Sequence, residues 1–104
     1  MKLEEIRQRA DAATEGPWRI GKQSPNGLNN IGTIGGLLTA QTTNEDDAKY
    51  IAHARQDIPW LISEIDRLNS GIDSVLYDLR NEDITNPHIV EQITENLVAV
   101  LNGK

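Results

Sequence analysis

The sequence predicts an α+β fold: a short N-terminal helix, a small antiparallel sheet of about three strands, a long kinked helix and a C-terminal helix. Two observations carry this prediction. Short apolar pieces separated by turn residues fill positions 17–43, and apolar residues recur at helical spacing on both sides of that segment. We interpret the 104 residues as a single domain, 1–104, with helices in 1–15, 45–80 and 87–102.

The first helix is predicted over residues 2–14. Leu3, Ile6 and Ala10 recur at helical spacing, and two glutamates lie in the first turn, where the helix dipole favours negative charge. Gly16 is followed by proline, a pair that ends helices. The chain therefore changes from helix to sheet at this point.

Turn signals divide the predicted sheet. The run Ser24-Pro25-Asn26-Gly27 favours a turn, and Gly35-Gly36 suits a hairpin that joins strands at Ile31–Ile34 and Leu37–Thr39. Six glycines lie between positions 16 and 36 and weaken the strand propensity. Part of this segment is therefore open to being loop.

The segment after Thr43 has the clearest periodicity in the chain. Either Thr43 or Asn44 caps the helix. Apolar residues then fall at seven-residue spacing, at Ile51, Ile58, Ile65, Ile72 and Leu79, with Ala54, Leu61, Leu68 and Val75 at the companion positions. Two interpretations stay open: a coiled-coil-like seam between subunits, or a long helix packed on its own domain. In the first, the interface residues are Ile58, Leu61, Ile65, Leu68 and Ile72.

Pro59 lies inside this helix and removes one backbone hydrogen bond, so a kink is expected, or a restart capped by Asp57. Asn69-Ser70-Gly71 is a second weak point, although the apolar heptads continue through it. Asn86-Pro87 has the pattern of an N-cap followed by proline at the first helical position, and it predicts the start of the last helix.

Composition excludes several classes of protein. The chain has no cysteine and a net charge of −6, which argues against disulfide scaffolds and against general binding to nucleic acid or anionic membrane. Residues 1–43 carry five basic and four acidic groups, whereas residues 44–104 carry five basic and twelve acidic groups. An anionic ligand therefore fits the first half better. We find no signal peptide or membrane span in the sequence.

No motif predicts catalysis, a metal site or a cofactor. Residues 16–23 resemble a phosphate-binding loop, but Gln23 stands where serine or threonine should hold magnesium, and a helix precedes the loop where a strand should. His53 and His88 are too few for a histidine-rich metal site. We therefore expect a protein that is not an enzyme.

Five residues form the most suggestive set: Trp18, Arg19, Tyr50, His53 and Arg55. Aromatic planes and guanidinium groups suit a nucleotide, because the ring stacks on the base and the guanidinium binds phosphate oxygens. The alternative is that Trp18 and Tyr50 are core residues between helix and sheet, and that Arg55 pairs with an acid.

Two segments resemble a group of small phage and prophage proteins. The first is Arg9-Ala10-Asp11-Ala12-Ala13-Thr14-Glu15-Gly16-Pro17-Trp18, and the second runs from Asp47 to Leu61. The pattern of the group is R-A-x-A-A-T-P-G-P-W, a variable strand region, and N-A-x-F-I-A-x-A-R-x-D-x-P before a heptad-like helix. Glu15, Asp47 and Tyr50 depart from it. The resemblance covers roughly residues 3–68.

The resemblance implies a phage accessory protein of the host cytoplasm. Many such proteins counter host defence. One class, of anti-Thoeris type, consists of oligomeric sponges that sequester nucleotide immune signals, including ADP-ribose derivatives made by TIR-domain enzymes. Our leading hypothesis is such a homo-oligomer, which binds a small anionic nucleotide without chemistry. The alternatives are a homo-oligomeric interaction module that engages a host or phage protein through its heptad helix, and a hydrolase of the same signal.

Overall fold

A computed structural model of the chain describes residues 2–103. The elements follow the predicted order and confirm the α+β class. They are α1 (Lys2–Ala12), β1 (Trp18–Ile20), β2 (Asn29–Thr33), β3 (Leu38–Thr42), α2 (Glu45–Asn81) and α3 (Pro87–Asn102). None of the described helices combines the length and the apolar character needed to cross a bilayer.

The chain divides into two compact units, one that extends through Ile62 and one that begins at Ser63. The first unit contains α1, the sheet and the first part of α2. The second contains the rest of α2 and the whole of α3. The interpretation of the chain as one domain stays a prediction.

The core of the first unit lies between the sheet and α2. Ile31, in the middle of the central strand, is completely buried, and Ala48 and Ala52 of α2 are buried with it. Trp18, Ala40 and Ile51 pack against this cluster. Small alanines on the helix bring it close to the sheet, so a core of few residues excludes water from Ile31.

The strand register gives the sheet two distinct faces. The strands are antiparallel in the order β1-β2-β3. Ile31 pairs with Ile20 and with Ala40 on the face that meets α2, which we call the inner face. Arg19 pairs with Gly32, which pairs in turn with Leu38 across a register shift. Because successive residues of a strand point to opposite sides, this row lies on the outer face.

Both predicted turns are confirmed and both need glycine. Gly27 has φ +84° and donates its amide to the Ser24 carbonyl at 2.8 Å. Gly36 has φ +91° and donates to the Thr33 carbonyl at 3.0 Å. Positive φ is costly for residues with a Cβ, so these two glycines fix the turns. The paired strands begin and end a few residues away from the predicted limits.

The observed ends of α1 and α2 differ in detail from the predicted ends. α1 ends at Ala12, two residues before the predicted limit. Asn44, not Thr43, caps α2, because its Oδ1 accepts the backbone amides of Asp46 at 2.7 Å and Asp47 at 3.4 Å. A side-chain acceptor at this position satisfies amides that have no partner inside the helix.

The restart at Asp57 is not observed, since α2 is helical at every residue from Glu45 to Asn81. Pro59 therefore lies inside a continuous helix. Ala52 and Ile62, on either side of it, are both buried, and their burial offsets the one hydrogen bond that proline removes.

In the second unit, α3 begins and ends with caps of known type. Asn86 precedes Pro87, and its side chain accepts the amide of His88 at 2.9 Å, as predicted. At the other end Gly103 adopts the left-handed conformation, φ 73°, and its amide donates to carbonyls of the last turn.

Within the second unit, α2 and α3 come close together at Gly71 and Val100. A Cβ built on Gly71 would lie 2.4 Å from Cγ2 of Val100, so no larger residue fits there without movement. Arg67, one turn earlier, donates from Nη1 to the Val100 carbonyl and pairs through Nη2 with Glu64 at 3.0 Å. A guanidinium at a helix C-terminus complements the negative end of the dipole.

Candidate functional site

Two residues of the predicted ligand set, Trp18 and Arg55, meet at a single atom. Trp18 Nε1 donates to the Thr14 carbonyl oxygen at 3.1 Å, and Arg55 Nε donates to the same oxygen at 2.9 Å. Thr14 lies just beyond α1, and Arg55 lies in α2. The shared carbonyl therefore ties the chain after the first helix to the long helix, and the hydrogen-bonding partner of Arg55 is a backbone oxygen, not an acid.

Gly16 belongs to the same arrangement. A Cβ placed on it would lie 2.8 Å from Cγ of Arg55, so the Arg55 stem lies directly over the Gly16 backbone. Thr14, Gly16 and Trp18 come from the first segment that resembles the phage proteins, and Arg55 comes from the second. The two segments are thus in direct contact, which gives their residues a packing role.

The other two helix residues of the set are exposed. Tyr50 is 78% exposed and is not part of the core, whereas Trp18 is half-buried and packs against Ile31 and its neighbours. His53 is exposed on α2. Of the five predicted residues, the structure brings together Trp18 and Arg55.

Arg19 lies elsewhere, on the outer face of the sheet. It borders an open cavity of about 500 Å³, a size within the range of about 300–1,000 Å³ that small-molecule sites occupy. The lining residues are Arg19, Ile20, Gly21, Lys22, Asn30, Gly32, Thr33, Ile34, Gly36 and Leu38. Two of them are cations and none is an acid. We call this the Arg19 cavity.

The positive charge of the Arg19 cavity is not neutralised by the protein. Neither Arg19 nor Lys22 forms an ion pair with any residue between 2 and 103. Both side chains are exposed at the cavity rim. Two unpaired cations beside a hollow without carboxylates favour an anionic ligand, and Arg19 adds the planar fork that suits phosphate oxygens.

Glycine forms the floor of this cavity. Gly32 is the cross-strand partner of Arg19 and has no side chain to fill the space beside it. A Cβ there would lie 2.7 Å from the Leu37 carbonyl oxygen, so the register shift itself requires glycine. The Leu37 backbone therefore occupies the space that a side chain at position 32 would need.

Asn30, which lines the cavity, makes two side-chain hydrogen bonds. Asn30 donates from Nδ2 to the Lys22 carbonyl at 3.0 Å and accepts at Oδ1 from Gln41 Nε2 at 2.7 Å. These bonds hold the segment that carries Lys22 against the sheet. Lys22 is therefore attached to the central strand, although it lies beyond the end of β1.

A second cavity, of about 510 Å³, lies at the end of β3 and the start of α2. Its lining residues are Gln41, Thr42, Thr43, Asp47, Tyr50 and Ile51. We call it the Tyr50 cavity. Trp18, His53 and Arg55 line neither of the two cavities.

Sequence reasoning included Arg19 but missed Lys22. Strand alternation was the available signal: if Trp18 enters the core, its neighbour Arg19 must point away from α2 and from Arg55. Lys22 lies in the run that resembles a phosphate-binding loop, and no other sequence signal singles it out. Among residues 2–103 no group of three or more histidines or acids is placed to hold a metal ion.

The predicted interface residues on α2 are largely open to solvent. Ile58 and Leu61 in the first unit, and Ile65 and Ile72 in the second, are between 39 and 50% exposed. Leu68 is half-buried. Most of the heptad side chains therefore keep apolar surface that their own unit does not cover.

The chain matches no protein-family model, no curated protein and no solved structure. The function is therefore argued from the site alone.

Proposed function

We propose that this is a phage accessory protein that sequesters a nucleotide-derived immune signal of the host, without catalysis, and so inhibits bacterial defence. The Arg19 cavity is the observation that carries the proposal. It combines two unpaired cations, no carboxylate and a glycine floor in a protein whose net charge is −6. An acidic protein repels anions in general, so a local basic hollow gives selectivity for a ligand that fits it.

The proposed site differs from the predicted set in its members. Arg19 and Lys22 bind the phosphates, and the aliphatic side chains of Ile34 and Leu38 at the rim cover apolar parts of the ligand. Trp18 and Arg55 do not contact the ligand in this proposal, because both donate to the Thr14 carbonyl and hold the chain after α1 in place.

The test is recovery of the signal. The purified protein is mixed with an extract of cells in which a TIR-domain defence enzyme is active, separated by filtration and heated. The heated protein releases whatever it held, and mass spectrometry identifies it. Intact signal in the heated fraction supports sequestration. Altered signal supports the hydrolase alternative, and an extract that is not depleted overturns both.

Two double variants localise the binding. Arg19→Gln with Lys22→Gln removes both cavity cations, and we expect it to leave the signal in the extract. Lys2→Gln with Arg9→Gln changes the net charge equally at exposed positions of α1, and we expect it to deplete the signal like the wild type. Equal loss in both would mean that net charge, not the cavity, attracts the signal.

A second candidate is an interaction module that acts through α2. The exposed side chains of Ile58, Leu61, Ile65 and Ile72 favour it, because their burial against another chain would contribute hydrophobic free energy. Light scattering tests self-association. We expect an oligomer for the wild type and a smaller species for Ile65→Asp, whereas Asn69→Asp, exposed on the same helix, should leave the mass unchanged. A monomeric wild type contradicts the oligomer.

A further inference from the structure

β3 forms one edge of the sheet and lacks the protection that edge strands usually have. An edge strand turns the N–H and C=O groups of alternate residues away from the sheet, and proteins guard such edges with charged residues, proline or very short strands. The opposite edge, β1, has three residues, follows Pro17 and carries Arg19. β3 has five residues and no proline, and positions 23–44 contain no charged residue. This edge is therefore open to pairing with another strand.

The last three residues of β3 form the regular part of the edge. The register shift leaves Thr39 without a partner in β2, whereas positions 40–42 pair with β2 in unbroken order. Within residues 2–103, no backbone group of β3 bonds a backbone group outside the sheet. The outward amides and carbonyls at positions 40–42 are therefore available to a second chain.

The Tyr50 cavity lies along the same edge. Ala40 meets α2 on the inner face, so the next residue, Gln41, points to the outer face and lines the cavity from that side. The other walls include three residues of α2, which packs on the inner face: Asp47, Tyr50 and Ile51. No described residue of β2 lines the cavity. Walls from both sides of β3, without β2, place the cavity at the free edge.

Two groups of the cavity attract a cation. Asp47 and Tyr50 are three residues apart on α2, a spacing that makes their side chains neighbours. The Asp47 carboxylate has no hydrogen-bond or ion-pair partner within residues 2–103, and Tyr50 is 78% exposed. The carboxylate attracts a cation by its charge, and the ring does so by the negative face of its π-system. An arginine or lysine side chain suits both groups.

We infer that the free edge of β3 and the Tyr50 cavity together bind an extended, basic peptide segment of a partner protein. The peptide backbone pairs with positions 40–42 as an added strand, a mode in which main-chain hydrogen bonds give affinity and side-chain pockets give specificity. One arginine or lysine of the peptide enters the cavity, with its stem against Ile51 and its charged end between Asp47 and the Tyr50 ring.

A second copy of this chain fits the edge less well, because its own β3 brings no cation to the cavity. The Tyr50 and Arg19 cavities have no lining residue in common. Peptide binding is therefore a function in addition to sequestration, and its failure would leave the Arg19 cavity untouched.

Two labelled heptapeptides test the charge requirement. Both alternate valine and threonine, and the central residue is arginine in one and glutamine in the other. By fluorescence anisotropy at low ionic strength, we expect the arginine peptide to bind about tenfold more tightly, since an ion pair and a cation–π contact at an exposed site together are worth about that factor. Equal affinity for the two peptides, or no binding of either, would overturn the inference.

Variants of the cavity locate the cation. Tyr50→Ala and Asp47→Asn should each weaken binding of the arginine peptide several-fold and leave binding of the glutamine peptide unchanged. Asp46→Asn is the matched control for Asp47→Asn, because both residues lie in the first turn of α2 and Asp46 lies outside the cavity lining. An equal loss in Asp46→Asn would mean that the acidity of this turn, and not the cavity, attracts the peptide.

Backbone methylation tests the added strand. In a strand at an edge, the N–H groups of one alternate set of residues point to the neighbouring strand, and those of the other set point away. N-methylation of every second residue of the arginine peptide removes one set of donors at a time. We expect one methylated peptide to lose binding and the other to keep it. If the two bind alike, the peptide does not pair with β3 as a strand, and the inference fails.

Amide hydrogen exchange measures the state of the edge in the protein itself. Without peptide, the outward amides of β3 should exchange fast, because they lack a partner, and the arginine peptide should slow their exchange. Protection that is present without peptide and rises with protein concentration would show that a second copy covers the edge, and it would overturn the inference.

Discussion

Trp18 and Arg55 donate to the same oxygen atom, the carbonyl of Thr14, at 3.1 and 2.9 Å. One half-buried aromatic and one half-buried arginine thereby hold the chain after α1 against α2. A carbonyl with two donors is well satisfied, and the donor on Arg55 is charged, which strengthens its bond. The relationship gives Arg55 a structural role, and in the proposed site anion binding is assigned to Arg19 and Lys22.

Arg55→Ala should therefore lower stability without lowering ligand affinity. We expect a loss of about 1–2 kcal/mol in the free energy of unfolding, from the hydrogen bond and from the stem over Gly16. Urea unfolding followed by circular dichroism measures it. Arg19→Gln is the opposite case, with stability retained and affinity for pyrophosphate lost. If Arg55→Ala abolishes pyrophosphate binding in the folded protein, Arg55 belongs to the ligand site.

Gly16→Ala should cost about 1–3 kcal/mol, because its Cβ would lie 2.8 Å from Cγ of Arg55, near the fixed end of that side chain. Gly21→Ala is the matched control, since a Cβ there meets nothing within 4 Å. In an Arg55→Ala background the cost of Gly16→Ala should nearly vanish, and a double-mutant cycle by urea unfolding measures this coupling. Additive effects would mean that the two residues are not in contact.

The effect of Gly71→Ala on stability should change sign when Val100 is also replaced by alanine. In the wild type the new Cβ meets Val100 at 2.4 Å, and this overlap outweighs the helix propensity of about 1 kcal/mol that alanine adds. With Val100→Ala the space opens, so the same substitution should then stabilise. Thermal unfolding of the four proteins tests it. Stabilisation in the wild-type background would contradict the close approach of the two helices.

Asp83 makes a pH-dependent contribution to the stability of the folded protein. Hydrogen bonds from the Thr85 hydroxyl and then from the Thr85 amide lower the pKa of the Asp83 carboxyl below its ordinary value of 3.8. A lowered folded-state pKa stabilises the protein above the unfolded-state pKa, and this contribution is lost as the pH falls through the folded-state pKa. Thr85→Val should raise the pKa toward 3.8 in a carboxyl NMR titration, whereas Thr94→Val should not. Identical curves would show that the hydroxyl has no effect.

Local signals predicted much of the fold. The glycines of the turns at Gly27 and Gly36 and the Asn86-Pro87 start of α3 acted as expected, because each depends on its own backbone alone. The continuity of α2 through Pro59 was harder to predict, because burial on both sides of the proline decides it.

The site was less predictable because it depends on which face of the sheet each strand residue takes. Trp18 and Arg19 are adjacent in sequence, yet one enters the core and the other borders the outer cavity. Sequence patterns could not predict the role of the Thr14 carbonyl, since every residue has a backbone oxygen and none of them leaves a signal in the sequence. Lys22 lies beyond the end of β1, and the bonds that Asn30 makes with the Gly21 amide and the Lys22 carbonyl hold it beside the Arg19 cavity.

The central claim is that the outer face of the sheet binds an anionic nucleotide at Arg19 and Lys22. Amide NMR of the labelled protein during titration with ADP-ribose tests it most directly. We predict the largest shift changes at Arg19, Gly21, Lys22, Gly32 and Gly36, with weaker binding as salt screens the cations. A spectrum that ADP-ribose leaves unchanged, or changes confined to the surroundings of Thr14, Trp18 and Arg55, would contradict the claim.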